Sequence, residues 1–111
     1  MKLLVLILNK VEKLEEVLEG FLEVGITGAT IIESVGMGQI LSEEVPIFAG
    51  LRFMFVGAKP HNKMILSVIK EDKEKPAIRV LRKILGDMSK PGTGIVFTIP
   101  IDKVEGLMPE I

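Results

Sequence analysis

Val24-Gly25-Ile26-Thr27-Gly28-Ala29-Thr30-Ile31-Ile32-Glu33-Ser34-Val35-Gly36-Met37-Gly38 is the stretch whose reading decides the fold. Gly25 and Gly28 suit a helix end and the tight turn after it, because glycine enters left-handed backbone conformations without a Cβ penalty. The run Ala29 to Val35 is rich in β-branched residues and reads as a strand. Gly36 and Gly38 let the chain turn sharply or bring its backbone close to a ligand, although on spacing alone plain turn punctuation is the simpler reading. A helix therefore stops, a strand runs and a loop opens within fifteen residues.

Upstream, Leu3 to Leu8 is apolar at every position, the pattern of a strand buried on both faces. From Val11 the period changes. Val11, Leu14, Val17, Leu18, Phe21 and Leu22 fall on one side of a helix, and Glu12, Lys13, Glu15, Glu16, Glu19 and Glu23 cover the rest as a solvated face. Downstream, Gly38 to about His61 is the least regular part and holds three of the five phenylalanines. A connection of this length is usually functional or disordered, and its apolar composition argues against simple disorder. Either it packs on its own subunit or it offers a docking surface. Met64 to Ile69 is the third strand, with Ser67 its one polar interruption.

Lys70 to Lys75 reads as a charged turn, and Pro76 suits the first position of a second helix. Its apolar stripe is Ile78, Leu81, Ile84, Leu85 and Met88, with Gly86 near its end. Lys90 to Gly94 is a turn, Ile95 to Pro100 the fourth strand, and Asp102 to Ile111 an acidic tail without a regular pattern. The expectation is one α+β domain over residues 1–111, a ferredoxin-like βαββαβ sandwich with an antiparallel sheet and two helices on one face, and a long loop or extended hairpin over 39–59.

That arrangement leaves one sheet face open, and a strand facing water on one side should alternate. Leu3–Leu8 and Met64–Ile69, the strands expected at the sheet centre, do not. At about 25 cal/mol per Å² of apolar area, several wet Leu and Ile side chains would forfeit a large part of a small domain's stability. A second copy of the chain is the simplest cover.

Composition narrows the function. Hydrophobic residues make up 48% of the 111, which reinforces the expectation of self-association, whereas 14 basic against 15 acidic residues form no basic patch for nucleic acid. The lack of cysteine removes disulfides and thiolate chemistry and fits a reducing cytosol. Six apolar residues at the start make neither a signal peptide nor a span, so a cytoplasmic protein without membrane insertion is expected. One histidine, His61, cannot hold a metal alone, and no nucleophile, base and acid can be assembled around it. Pro91-Gly92-Thr93-Gly94 is not a Walker sequence, although its N–H groups could form an anion nest.

Val24 to Thr30 followed by Glu33 to Gly38 is similar to the helix-to-strand passage and loop base of the P-II nitrogen regulatory signalling proteins. The likeness runs from Met1 to about Leu107. Gly50 to Met54 resembles the far limb of the family's mobile loop, Pro60 with Lys63 its third-strand start, and Gly92 to Phe97 its short loop beside the nucleotide. The resemblance implies a non-catalytic homotrimer with ligand clefts between subunits, which binds a small effector and regulates a target protein, a transporter or an enzyme, through its loop. No cofactor is required on this reading, and an adenine nucleotide is a candidate effector. Carried over residue by residue, the effector-binding set is Gly28, Ala29, Thr30, Gly36, Met37, Gly38, His61, Lys63, Gly92, Thr93 and Gly94. The partner-binding set is Phe48, Leu51, Arg52, Phe53 and Phe55.

Departures from the family pattern sharpen this expectation. The modified tyrosine falls on Phe53, which has no hydroxyl to uridylylate. Gln39-Ile40 replaces an arginine-glutamine pair, which weakens a metal-bridged 2-oxoglutarate site, and a phosphate-contacting lysine becomes His61. Thr93, Ile95, Gly106 and Met108 stand where other charged contacts are expected. Most cations that would meet a triphosphate are thus missing, which points to a less charged effector. A structural or metal-handling trimer of CutA type is the alternative, with only His61, Glu43 and Glu44 as ligands. An acylphosphatase-like hydrolase ranks lower, since Arg52 and Asn62 sit in no such motif.

Overall fold

The computed structural model describes residues 1–43 and 61–107. Seven elements follow in order: β1 Lys2–Leu8, α1 Leu14–Glu23, β2 Thr30–Ser34, α2 Met37–Glu43, β3 Asn62–Ile69, α3 Glu74–Leu85 and β4 Gly94–Pro100. The strands form one antiparallel sheet of order β2-β3-β1-β4, with β3 and β1 at its centre, as their largely apolar sequences lead one to expect.

Register sorts the side chains onto two faces, because residues paired across strands share a face. Leu4, Leu6 and Leu8 of β1 and Ile65 and Ile69 of β3 point to one side and are buried. There they meet Val17 and Phe21 of α1 and Ala77, Leu81 and Leu85 of α3 in a single core. The helices pack closely at Gly20, where an added Cβ would lie 2.8 Å from Ile84 Cδ1 of α3. Both therefore cover one face.

The other face is apolar and carries neither α1 nor α3, with Val5 buried at its centre and its exposed residues toward β4 and β2. Leu3, Val5 and Ile7 line it from β1, Met64, Leu66 and Val68 from β3, and Ile95, Phe97 and Ile99 from β4. Of these, Ile95 is 56% exposed, Phe97 41% and Ile99 44%. Ile32 on β2, paired with Met64, continues the patch to the sheet edge.

Local chemistry accounts for the element ends. Helix α1 stops in a Schellman motif, with Ile26 N–H donating to Phe21 carbonyl at 2.8 Å and Gly25 N–H to Leu22 carbonyl at 3.0 Å. Gly25 takes the left-handed φ of 86° that the motif needs, and Ile26 and Phe21 meet in the core.

Several expectations need correction. Val11–Lys13 forms a 3-10 turn, and α1 proper starts at Leu14. Leu22, assigned to the buried stripe, is 61% exposed. Lys70 to Lys75 is not simply a turn: Glu71–Lys73 is a 3-10 turn and α3 begins at Glu74, so Pro76 is its third residue. Proline is tolerated there because the first helical N–H groups have no intrahelical acceptor.

The largest difference follows β2. Irregular chain was expected from Gly38, yet Met37–Glu43 is helical and places Gly38 inside α2. Gly36 precedes the helix, and its carbonyl accepts from Ile40 N–H at 3.3 Å. Neither Gly28, Gly36 nor Gly38 has positive φ. Met, Gln and Leu are good helix formers, so one interior glycine, at roughly 1 kcal/mol, does not by itself exclude a helix. Most of the expected 39–59 loop, with Phe48, Leu51, Arg52, Phe53 and Phe55, lies outside the described residues.

Candidate functional site

Three groups of sequence-predicted residues occupy three places on the sheet. Gly28, Ala29 and Thr30 form the passage from α1 into β2, and Thr30, paired with Leu66, lies on the sheet face away from the helices. A groove of about 230 Å³ opens there on the helix side, lined by Leu18, Phe21 and Leu22 of α1, by Ile26 to Ala29, and by Ile31. Its walls are mostly hydrocarbon, and no charged side chain lines it. Such a groove favours an uncharged ring over a phosphate chain.

Gly36, Met37 and Gly38 come together with His61 and Lys63 at the opposite end of β2. Ser34 pairs with Asn62 there, and a Cβ at Gly36 would lie 3.5 Å from Asn62 Nδ2. Met37 is 72% exposed and His61 is also at the surface. Lys63 does not present a bare ammonium, because it is ion-paired with Glu33 directly across the strands. The Oγ of Ser34 and Oδ1 of Asn62 are buried without a hydrogen-bond partner. Neither residue was singled out as an effector contact; Asn62 was weighed only for an acylphosphatase-like motif.

Gly92, Thr93 and Gly94 lie two strands away. Gly92 has φ 76°, and Thr93 carbonyl accepts from Asn9 N–H at 3.1 Å and Lys10 N–H at 3.2 Å. The loop is therefore tied to the end of β1. The Thr93 side chain faces inward and is 3% exposed, so backbone is what the loop offers a ligand. An added Cβ at Gly94 would stand 2.9 Å from Ile7 carbonyl oxygen, so close approach requires glycine.

Nearby charges are largely engaged. Lys10 Nζ donates to Leu85 carbonyl at 3.3 Å, at the end of α3 where the helix dipole favours a cation. Asp87 accepts from Ser89 Oγ at 2.7 Å and Ser89 N–H at 3.0 Å, and these bonds hold its carboxyl below the usual range. Exposed Lys90, which the sequence reading passed over, precedes the glycine turn. Among the described residues, no group of three or more His, Asp or Glu side chains is placed to hold a metal ion. No helix among them is long and apolar enough to cross a membrane.

The row of Thr30 runs through Leu66, Val5 and Phe97, whereas Gly94 belongs to the row of Leu8. Three strand spacings across and three residues along separate Thr30 from Gly94 by about 17 Å. One chain thus keeps the Gly28–Thr30 and Gly92–Gly94 segments apart.

Strand order and a single helical layer define a ferredoxin-like α+β domain. Within that class, the chain matches the family described as Nitrogen regulatory protein P-II over residues 1–110, and it belongs to that family. The family is one of signal-transduction regulators. No curated protein gives a significant match to the chain.

Proposed function

We propose that this protein is a non-catalytic, cytoplasmic signal transducer of P-II type that works as a homotrimer. Three copies turn their uncovered sheet faces toward a common axis, and each cleft joins the groove beside Gly28 and Ala29 of one copy to the Gly92–Gly94 loop of the next. A small effector binds in that cleft, and the chain around 39–59 passes the state of the cleft to a target protein.

The observation that carries this reading is the apolar sheet face away from the helices, on which Ile32, Ile95, Phe97 and Ile99 are exposed and Leu3, Ile7 and Leu66 half-buried. Covering it with copies of itself removes that surface from water and places segments held apart in one chain beside each other. The hydrocarbon groove and the engaged Lys63 favour an adenine nucleotide with few phosphates over ATP.

Calorimetric titration with ATP, ADP, AMP, cyclic nucleotides and 2-oxoglutarate, with light scattering on the same sample, tests the proposal. The expected result is a mass of three chains and tighter binding of a less charged nucleotide than of ATP. A monomer, or no heat from any of these ligands, would overturn it.

A further inference from the structure

Ser67 is the polar exception in the core-facing row of β3. Its Cα partner is Leu4, its neighbours on that face are Ile65 and Ile69, and it is itself 3% exposed. An apolar side chain would fill this position without the cost of burying a hydroxyl. The hydroxyl has one recorded use: Ser67 Oγ donates to Gly28 carbonyl at 2.6 Å.

The place of that bond in the sheet gives it a role. The β2–β3 ladder ends at the pair Thr30 and Leu66, so Ser67 lies one residue beyond the last paired position. There β2 departs from the sheet, and residues 27–29 continue without regular structure toward the end of α1. The side chain of Ser67 takes over where the backbone ladder stops. It holds the passage one step further, at a carbonyl in the wall of the apolar groove. The Cβ position of Gly28 is open, with nothing within 4 Å, so no side-chain packing is possible from Gly28 itself.

We infer that Ser67 is a positioning residue, which fixes the groove wall through Gly28 and thereby sets affinity for a ring-bearing effector. The inference rests on the proposed use of that groove. It is tested on the full-length protein with ADP as the probe. Ser67→Ala should weaken ADP binding roughly three- to tenfold, the range expected for one hydrogen bond. It should also speed amide hydrogen exchange over residues 27–30.

Ile69→Val, on the same face of the same strand, should lower the melting temperature while leaving both readouts unchanged. Ser67→Thr, which keeps a hydroxyl, should restore both. If Ser67→Ala does not fold, the isosteric pair Ser67→Thr and Ser67→Val carries the same comparison. Wild-type affinity within twofold in Ser67→Ala overturns the inference, and so does unchanged exchange over 27–30. If the wild-type protein binds no nucleotide, the proposed function and the effector role of Ser67 fall together. Exchange over 27–30 then decides by itself whether Ser67 holds the passage.

Discussion

Replacing Phe97 by Glu should convert the assembly into folded single chains. Phe97 sits mid-strand in β4, level with Val5 and Leu66 on the apolar face away from the helices, and 41% of it remains in solvent in one chain. Fully burying a Phe is worth about 1.5–3 kcal/mol, so completing its burial contributes about 1 kcal/mol per copy. Three copies lose about 3 kcal/mol with the ring. A carboxylate forced into that face adds several kcal/mol of desolvation per copy. Association should therefore weaken by many decades. The single chain loses little, because Glu at 97 can reach water. Size-exclusion chromatography with light scattering at micromolar protein reads the mass, and circular dichroism reads the fold. Phe97→Glu retaining the wild-type mass would refute the assignment of this face to self-association. A variant that unfolds would place Phe97 in the stability of the single chain instead.

Two further outcomes follow from the backbone and the surface. Gly94→Ala should destabilise by about 1–3 kcal/mol, because its Cβ meets a backbone oxygen that cannot swing aside, whereas Gly28→Ala should leave the melting temperature within a degree or two. Thermal denaturation compares them. Glu74 is bonded to Lys2 at 2.8 Å, and that hydrogen bond first, with their charge attraction, holds its carboxyl below the usual range. The contribution of the bond is present above the ordinary carboxylate pKa and disappears as pH falls through the depressed one. Glu74→Gln should flatten the fall in urea midpoint over that acidic window.

Much of the architecture was legible because burial leaves a plain trace in composition. Leu3–Leu8 and Met64–Ile69 break alternation, and those strands do sit at the sheet centre with an apolar face uncovered. Gly25 announced a left-handed helix end, and the Schellman bonds are there. Glycine misled at Gly38, since its conformational freedom signals a loop while Met37, Gln39 and Leu41 are good helix formers. Pro76 misled by two residues, as its ring fits any of the first helical positions.

The site was less legible. Residue type suggested Lys63 as a cation for the effector, but only cross-strand register reveals Glu33 beside it. Thr93 looked available, and its inward side chain is a consequence of the loop's attachment to β1. Ser67 stood out as a polar break in a strand, yet its purpose depends on where the β2 ladder ends.

Clefts shared between neighbouring chains are tested most directly by mixing two variants disabled on opposite sides. Ala29→Glu places a charge in the apolar groove, and Gly92→Asp places one at the glycine turn. Each alone should bind no ADP. Refolded together in equal amounts, they should regain binding in about one cleft in four, the fraction in which an intact groove meets an intact loop from the next copy. A mixture as inert as either parent, at the wild-type mass, would contradict a site built from two chains.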